Sequence, residues 1–242
     1  MLGKISVIIP VYNEANRLRG CVEELEKALR NLGIYFELVI SEDGSTDGTD
    51  KIAYELANKD SAVKHLHSNM RLGRGKAIQR AFEVVNGSIV IYVDADLSME
   101  LQHLTDLIKA IEDGADIATG SRLLTGSVVR RSLLRELTSR IYNWMVRWIF
   151  KSTVHDHQCG FKAFKKVTVK PLLDEVKDKH WFWDTELIIR ALRNGCKVVE
   201  IPITWVQSEE TKVHLGADIK YMGMSALKLG WQLRRERKKL AG

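Results

Sequence analysis

A short apolar run followed at once by two acidic residues constrains this chain more than any other stretch. Residues 89–93 are apolar or aromatic and mostly β-branched, which predicts a strand buried on both faces. Asp94 and Asp96 come directly after it. Open α/β sheets bind ligands at the carboxyl ends of their strands, and paired hard oxygen ligands suit Mg²⁺ or Mn²⁺ with diphosphate oxygens. We therefore predict a metal-diphosphate site here, against the alternative of a solvated Asp-x-Asp turn.

Apolar strand patterns alternate with helical patterns along the first half of the chain. Further strands are predicted over residues 4–10, 35–41, 62–67 and 116–120. This alternation predicts an α/β fold with a mostly parallel sheet sandwiched by helices. We expect one catalytic domain over residues 1–215 and an amphipathic, basic helical appendage over residues 216–242.

The basic residues are unevenly distributed. The 242 residues include 37 Lys and Arg against 31 Asp and Glu, a formal net charge of +6. Most of this excess lies between Lys228 and Lys239, which predicts an anionic ligand or surface near the carboxyl terminus and not nucleic acid. Because the chain has no run of about 18 apolar residues and no signal-peptide pattern, we expect a cytoplasmic protein that associates peripherally with a membrane.

The cysteines predict no disulfide, and the histidines favour loop or surface positions over a second metal centre. The three cysteines lie far apart and are odd in number, which predicts buried thiols at Cys21, Cys159 and Cys196. A second metal centre built from histidines is the less favoured alternative to loop or surface positions for His65, His67, His155 and His157.

A glycine-rich segment, Gly73-Arg74-Gly75-Lys76-Ala77, resembles two nucleotide-binding motifs without matching either. Met70 stands where a P-loop has its first glycine, and Ile78 where a dinucleotide-binding loop has its third. The segment therefore predicts a basic loop at a helix start, from which Lys76 contacts donor phosphate. A solvated loop is the alternative.

Several separated motifs agree in order and spacing. They are 6–14 (SVIIPVYNE), 42–47 (EDGSTD), 94–96 (DAD), 120–122 (GSR), 156–162 (DHQCGFK) and 181–187 (WFWDTEL). Together they resemble family 2 glycosyltransferases of the GT-A fold, and more narrowly the dolichyl- or polyprenyl-phosphate hexose synthases, the glucose branch more than the mannose branch. The resemblance implies an inverting transfer of a hexose from UDP-glucose or GDP-mannose to dolichyl or polyprenyl phosphate.

The resemblance also implies roles at the donor end. Asp96 would bind the metal ion directly, and Asp94 would reach the donor ribose or the ion through water. Ser98 stands where the mannose branch has a metal-contacting Gln, which favours the glucose branch or another hexose. The nucleoside pocket would be lined by Pro10, Tyr12, Glu14 and Asp43. For Asp43 the alternative is a turn or helix-cap residue.

At the acceptor end the resemblance points to basic residues. Two anions must meet there, and unit charges about 4 Å apart at an effective dielectric near 20 repel by about 4 kcal/mol. Forked arginine donors would offset that repulsion. The positions that match acceptor-phosphate contacts of the mannose synthases are Arg122, Arg135 and Ser139, with Lys212 in a loop over the site.

Asp184 has three candidate roles: helix cap, acceptor contact and catalytic base. A phosphate monoester is mostly dianionic at neutral pH, because its second pKa is about 6, and needs no base. We therefore favour capping or acceptor positioning. A rival hypothesis is transfer to a sugar hydroxyl with Asp184 as the base. A rival of another class is a non-catalytic basic protein that binds a membrane or nucleic acid.

Aromatic residues are concentrated in residues 141–150, which predicts either core packing or an interfacial helix within residues 130–151. The tail from Asp218 to Leu240 has the same character, and basic residues near an anionic bilayer contribute about 1 kcal/mol each. We favour membrane association. Packing against a partner subunit, which would make a homo-oligomer, is the alternative.

Overall fold

A computed structural model describes residues 3–206 and 215–240. The strands are β1 (Ile5–Val11), β2 (Phe36–Glu42), β3 (Val63–Leu66), β4 (Ile89–Val93), β5 (Ile117–Ser121), β6 (Val128–Arg130), β7 (Phe161–Lys165), β8 (Val198–Pro202) and β9 (Thr204–Val206). The helices are α1 (Ala15–Asn31), α2 (Thr49–Lys59), α3 (Arg74–Val84), α4 (Leu104–Glu112), α5 (Leu133–Phe150), α6 (Lys166–Leu173), α7 (Trp183–Arg193) and α8 (Leu215–Leu240).

Seven strands form the main sheet in the order β3-β2-β1-β4-β7-β5-β8. Its strand pairs are parallel except at β7, which runs antiparallel to both β4 and β5. The short strands β6 and β9 pair in parallel as a second sheet. The predicted α/β fold with a mostly parallel sheet is confirmed, and the one reversed strand was not predicted.

The main sheet is covered on both faces, as the apolar strands predict. Every residue of β1, β2 and β4 is buried. One face packs against α1, α2 and α4, with Leu25 and Leu107 among the fully buried residues, and the other against α3, α6 and α7, with Phe82 and Trp183. Successive strand residues point to opposite faces, which is why a continuous apolar run is needed for burial on both.

The two long helices α5 and α8 pack against each other and form a third apolar cluster. Met222, Ala226, Leu229 and Leu233 recur at helical spacing along the buried face of α8. From α5, Tyr142 and Val146 meet them. None of the described helices has the length and apolar character needed to cross a bilayer. The division of the chain at residue 215 stays a prediction, although α8 begins at that position.

The opposite side of α5 carries an exposed apolar stripe. Its members follow the helical spacing of three and four residues, which places them on one face: Leu133, Leu137, Ile141, Trp144 and Trp148. We call this set the outer stripe of α5. Its side chains are 57–87% exposed. The aromatic segment is therefore both core and surface, divided between two faces of one helix.

Two local expectations are wrong. Helix α3 begins at Arg74, inside the segment predicted as a basic loop, so the loop is shorter than predicted. His157 lies in a loop, as predicted, but it is fully buried, and its ring hydrogen-bonds the side chains of Asn143 and Ser152. Cys196 is only partly buried, whereas Cys21 and Cys159 are buried as predicted.

Candidate active site

Five of the predicted site residues lie at one edge of the main sheet, where the parallel strands end. Pro10 lies at the end of β1 and Tyr12 follows it, Asp43 follows β2, Asp94 follows β4 and Arg122 follows β5. Parallel neighbours bring their carboxyl ends together, so motifs from separated parts of the sequence meet here. We call this region the carboxyl edge.

Asp94 and Asp96 have different environments. Asp94 Oδ1 accepts hydrogen bonds from Arg74 Nε at 3.0 Å and Nη2 at 2.7 Å, and its side chain is 31% exposed. Burial raises the pKa of Asp94, Arg74 opposes that shift, and the charges of Asp96 and Asp184 add to it. Asp96 accepts from the Ser98 hydroxyl at 2.7 Å. Two nearby carboxylates with an excess of negative charge form a donor set that suits Mg²⁺ or Mn²⁺.

Asp184 joins this cluster from α7. Its side chain is 4% exposed, and its Oδ2 accepts from Arg74 Nη1 at 2.8 Å. Its Oδ1 accepts from the Tyr92 hydroxyl and lies 3.6 Å from Lys162 Nζ. The N-cap residue of α7 is Phe182, and the Asp184 carboxylate contacts Tyr92 of β4. Helix capping, one of the two roles favoured for Asp184, is therefore wrong, and acceptor positioning stays a prediction.

A glycine lets the chain approach Asp94 closely. A Cβ atom on Gly160 would lie 1.7 Å from Asp94 Oδ2, so a side chain at this position would overlap the carboxylate. The Asp94 backbone N–H also donates to the Gly160 carbonyl at 3.2 Å. The segment before β7 thus presses directly against the predicted metal ligand.

On the predicted nucleoside side, Asp43 is buried and organises a neighbouring loop. Its carboxylate accepts from the backbone N–H groups of Leu72 and Gly73, both at 2.8 Å. The guanidinium of Arg71, from the same loop, lies 4.0 Å from the centre of the Tyr12 ring. Residue Gly48, and not Asp43, is the N-cap of α2.

The remaining donor-side residues divide between this region and its surroundings. Pro10 is buried at the end of β1, and Glu14 is partly buried just before α1. Lys76 directs its ammonium to Gln79 Oε1, 3.2 Å away on the same helix, whereas Arg74 reaches Asp94 and Asp184.

On the acceptor side, Arg122 is held by a buried carboxylate. Its Nε and Nη2 donate to Asp156 at 2.7 and 2.8 Å. Burial works to lower the pKa of Arg122, but the charge of Asp156, its hydrogen bond and the charge of Asp94 raise it overall. Arg122 therefore keeps its positive charge beside the buried Asp156 carboxylate.

Arg135 and Ser139 are one helical turn apart near the start of α5. Ser139 Oγ is buried, and the described residues offer it no hydrogen-bond partner. A buried hydroxyl without a partner costs free energy unless a ligand or water satisfies it. Lys212, the fourth predicted acceptor contact, lies outside the described residues.

Sequence reasoning missed four residues of this cluster. Arg74 stands in the glycine-rich loop that was considered only for Lys76, and Tyr92 has a polar tip within an apolar strand. Asp156 and Lys162 belong to the 156–162 motif, in which no member was assigned a contact. The available signal was Lys162, a charged residue within the apolar strand β7, since such residues are rarely buried unless paired.

Comparisons with known proteins agree with this geometry. Residues 6–171 match the model of Glycosyl transferase family 2. The glycosyltransferase AglD of Haloferax volcanii is 44% identical over 235 residues, which cover 95% of this chain. The match covers only 37% of AglD, so this chain spans well under half the length of that relative.

Two further relatives match over most of both chains. The polyprenol monophosphomannose synthase of Mycolicibacterium smegmatis is 34% identical, with 84% of this chain and 77% of the relative covered. The dolichyl-phosphate beta-glucosyltransferase of Saccharomyces cerevisiae is 27% identical, with 88% and 70% covered.

A solved structure shares the fold. Glucosyl-3-phosphoglycerate synthase of Mycobacterium tuberculosis, in complex with Mn²⁺, UDP and glucosyl-3-phosphoglycerate, superposes with a TM-score of 0.72 at 19% identity. The match covers 94% of this chain and 80% of that one. This likeness shows the fold, a GT-A arrangement of a mostly parallel sheet and flanking helices. The motifs, the fold and the family match lead to one conclusion: this chain belongs to glycosyl transferase family 2.

Proposed function

We propose that this chain transfers a hexose from a nucleotide-diphosphate sugar to dolichyl or polyprenyl phosphate, with inversion at the anomeric carbon. The observation that carries the proposal is that a pair of metal-ligand carboxylates and an anion-binding guanidinium lie at the same carboxyl edge. Asp94 and Asp96 follow β4, and Arg122 follows β5. The names of the mannose-transferring and glucose-transferring relatives support the same acceptor class.

At the donor end, Asp94 and Asp96 would hold Mg²⁺ or Mn²⁺. The fit rests on their oxygen chemistry and on their position one residue apart directly after β4. A divalent ion, when bound, neutralises charge that develops on a departing nucleotide diphosphate. Arg74 orients Asp94 and Asp184 together through three hydrogen bonds, so we assign it the role of a positioning residue. The proposed contacts to the nucleotide are Pro10, Tyr12, Glu14, Asp43 and Lys76.

At the acceptor end, Arg122, Arg135 and Ser139 would bind the lipid phosphate, together with Lys212. The buried Ser139 hydroxyl supports this assignment, because a phosphate oxygen would supply the partner that the described residues do not. A dianionic phosphate is itself the nucleophile and attacks the anomeric carbon as the diphosphate departs on the opposite side. The guanidinium groups would offset the repulsion between the two anions.

The surroundings of Asp184 favour a phosphate acceptor over a hydroxyl. Both of its oxygens already accept hydrogen bonds, from Arg74 and Tyr92, and Lys162 lies close by. A carboxylate held in this way, with 4% of its side chain exposed, is badly placed to take a proton from a sugar hydroxyl. We therefore propose that Asp184 positions Arg74 and is not the base.

Peripheral association with the cytoplasmic side of a membrane would bring the enzyme to a lipid acceptor. The outer stripe of α5 supports this, because amphipathic helices place their aromatic and aliphatic residues at the lipid boundary. Helix α8 adds the exposed Leu227 and Trp231, and Arg235 lies over the Trp231 ring at 3.8 Å. Exposed basic residues such as Arg147 and Lys151 would face anionic headgroups.

A donor panel tests the proposed reaction. The chain is incubated with UDP-glucose or GDP-mannose, Mn²⁺ or Mg²⁺ and a short polyprenyl phosphate, and lipid-linked product is followed by mass spectrometry. We expect a hexosyl-phospholipid from at least one donor, and its loss in EDTA. Product on a sugar hydroxyl only, or no product from either donor, would contradict the proposal.

A further inference from the structure

A second group of metal-ligand side chains lies at the outer end of the carboxyl edge, on β2 and β3. Glu42 ends β2, His65 lies in β3 and His67 follows its end. One ligand atom from each residue can be chosen so that all three lie within 4.8 Å of one another. None of the three has a role in the proposed transfer reaction.

Both ring nitrogens of His67 lie within hydrogen-bonding distance of a side-chain oxygen. Its Nε2 lies 3.1 Å from Asn69 Oδ1, and its Nδ1 lies 2.7 Å from Glu42 Oε2. In the tautomer that donates from Nε2 to Asn69, the Nδ1 lone pair faces the Glu42 carboxylate, so the two groups can bind one metal ion.

The contacts of His65 favour the metal ion. Its Nε2 is buried, and the described residues give it no hydrogen-bond partner. Glu42 is fully buried, while the His67 side chain is 47% exposed, so the group is closed on one side and open on the other.

We propose that Glu42, His65 and His67 bind a zinc-class transition-metal ion at a site separate from the aspartates after β4. Two imidazole nitrogens and one carboxylate oxygen are a common three-ligand set for Zn²⁺, with water in the fourth position. Imidazole ligands prefer Zn²⁺ to Mg²⁺ or Mn²⁺, which prefer oxygen. The hydrogen bond from His67 to Asn69 would orient the ring, as partners of metal-bound histidines do.

This ion would tie together two segments that approach the nucleoside pocket. The Glu42 carboxylate also accepts from the backbone N–H of Ser45, in the loop that begins with Asp43. On the other side, His67 precedes the 68–73 loop, whose Leu72 and Gly73 N–H groups bind Asp43. The site would therefore brace both sides of Asp43 without contacting the donor.

Cobalt binding tests the proposal independently of activity. The 242-residue chain carrying Asp96→Asn is stripped with EDTA and titrated with Co²⁺, whose visible absorption reports a four-coordinate site, and Zn²⁺ is then added as competitor. We expect about one Co²⁺ per chain with that absorption, displaced by Zn²⁺. His67→Gln and His65→Gln should each weaken binding by at least about tenfold, since each removes one of three ligands.

His155→Ala is the matched control. His155 Nδ1 lies 2.8 Å from Glu200 Oε2, with the His155 side chain 41% exposed, so it is a similar His–carboxylate pair outside the triad. This variant should bind Co²⁺ as the parent does. Absence of the absorption in the parent, or equal binding by the parent and both triad variants with unchanged thermal unfolding in EDTA, would overturn the proposal. Because no turnover is measured, failure here is distinct from failure of the proposed reaction.

Discussion

The side chains at the carboxyl edge of the main sheet and those along the outer stripe of α5 differ in how far the chain itself supplies their contacts. At the carboxyl edge, charged groups bind one another: Arg74 contacts Asp94 and Asp184, and Arg122 contacts Asp156. Along the stripe, large apolar groups contact little of the chain, and Trp148 is 75% exposed.

The difference follows from what each kind of group costs. An uncompensated buried charge costs several kcal/mol, so residues at the carboxyl edge must come with their partners. An exposed apolar side chain carries no such penalty, and its burial gain of roughly 25 cal/mol per Å² is available to an external surface. The carboxyl edge is therefore complete enough to hold its geometry without substrate, whereas the stripe gains only when something covers it.

The largest effect is expected from a substitution at Asp96, a proposed metal ligand at the carboxyl edge. Among the described residues, the Asp96 carboxylate accepts hydrogen bonds from Ser98 alone, within its own turn, so Asp96→Asn should leave the fold intact. We expect hexosyl transfer to fall about a thousandfold, since metal-ion stabilisation supplies several kcal/mol and each 1.36 kcal/mol is tenfold.

Steady-state assays and thermal unfolding measure both effects. The matched control is Asp106→Asn on α4, which makes the same chemical change at a 54% exposed side chain. Equal activity losses in the two variants, or a large fall in the melting temperature of Asp96→Asn, would contradict the assignment.

Arg74→Met removes the cation that Asp94 and Asp184 share and leaves both aspartates in place. Two carboxylates would lose their shared cation, and removing one partner from a buried ion pair costs about 3 kcal/mol or more. Arg19→Met is the control, because the Arg19–Glu55 pair is 47% and 62% exposed and such pairs contribute less than about 1 kcal/mol. Urea unfolding in EDTA compares the free energies of unfolding; equal losses would show that the cluster does not depend on Arg74.

A smaller effect is expected on the pH dependence of the free energy of unfolding, through the buried His157. Burial lowers the pKa of His157 to about 3, against about 6.5 in the unfolded chain. Below pH 6.5 the unfolded state binds a proton at His157 that the native state does not bind. The free energy of unfolding therefore decreases as the pH falls, by about 2 kcal/mol at pH 5.

His157→Gln removes this proton uptake while keeping a hydrogen-bonding side chain. The variant should start less stable at pH 8 and lose about 2 kcal/mol less than the parent between pH 8 and pH 5. Urea unfolding at a series of pH values measures the two slopes. Parallel slopes would mean that His157 titrates alike in both states.

The smallest effect is expected on the outer stripe of α5. Trp148→Ser should weaken binding to vesicles that contain anionic lipid by about tenfold, because part of one aromatic burial is worth about 1.4 kcal/mol. Transfer to a short, soluble acceptor should not change. The control is Tyr54→Ser, at an aromatic side chain that is 63% exposed on α2. Similar losses in both variants would argue against a defined membrane face.

Much of this arrangement could be predicted from sequence because it depends on local pattern. The apolar run before Asp94 predicts a strand buried on both faces, and the ends of parallel strands then place Asp43, Asp94 and Arg122 at one edge. The same pattern cannot show β7 entering the sheet in reverse between β4 and β5, because its apolar residues would be equally buried in either direction.

Side-chain pairing between distant elements was the part that could not be predicted. Arg74 and Lys76 stand two residues apart in one basic loop, yet only Arg74 points to the aspartates, because α3 begins at Arg74 and rotates successive residues by about 100°. His157 lies in a polar segment that predicts a loop, and its burial depends on Asn143 from α5.

The reversed direction of β7 has a consequence for how the two substrates would be spaced. Five residues, 156–160, lead into β7. Asp156 accepts a hydrogen bond from Arg122 at one end, and Gly160 packs against Asp94 at the other. Cys159, between them, bonds the Tyr92 hydroxyl through its carbonyl at 3.2 Å. The separation between donor and acceptor phosphates would therefore be set by a single short spacer of covalently joined residues.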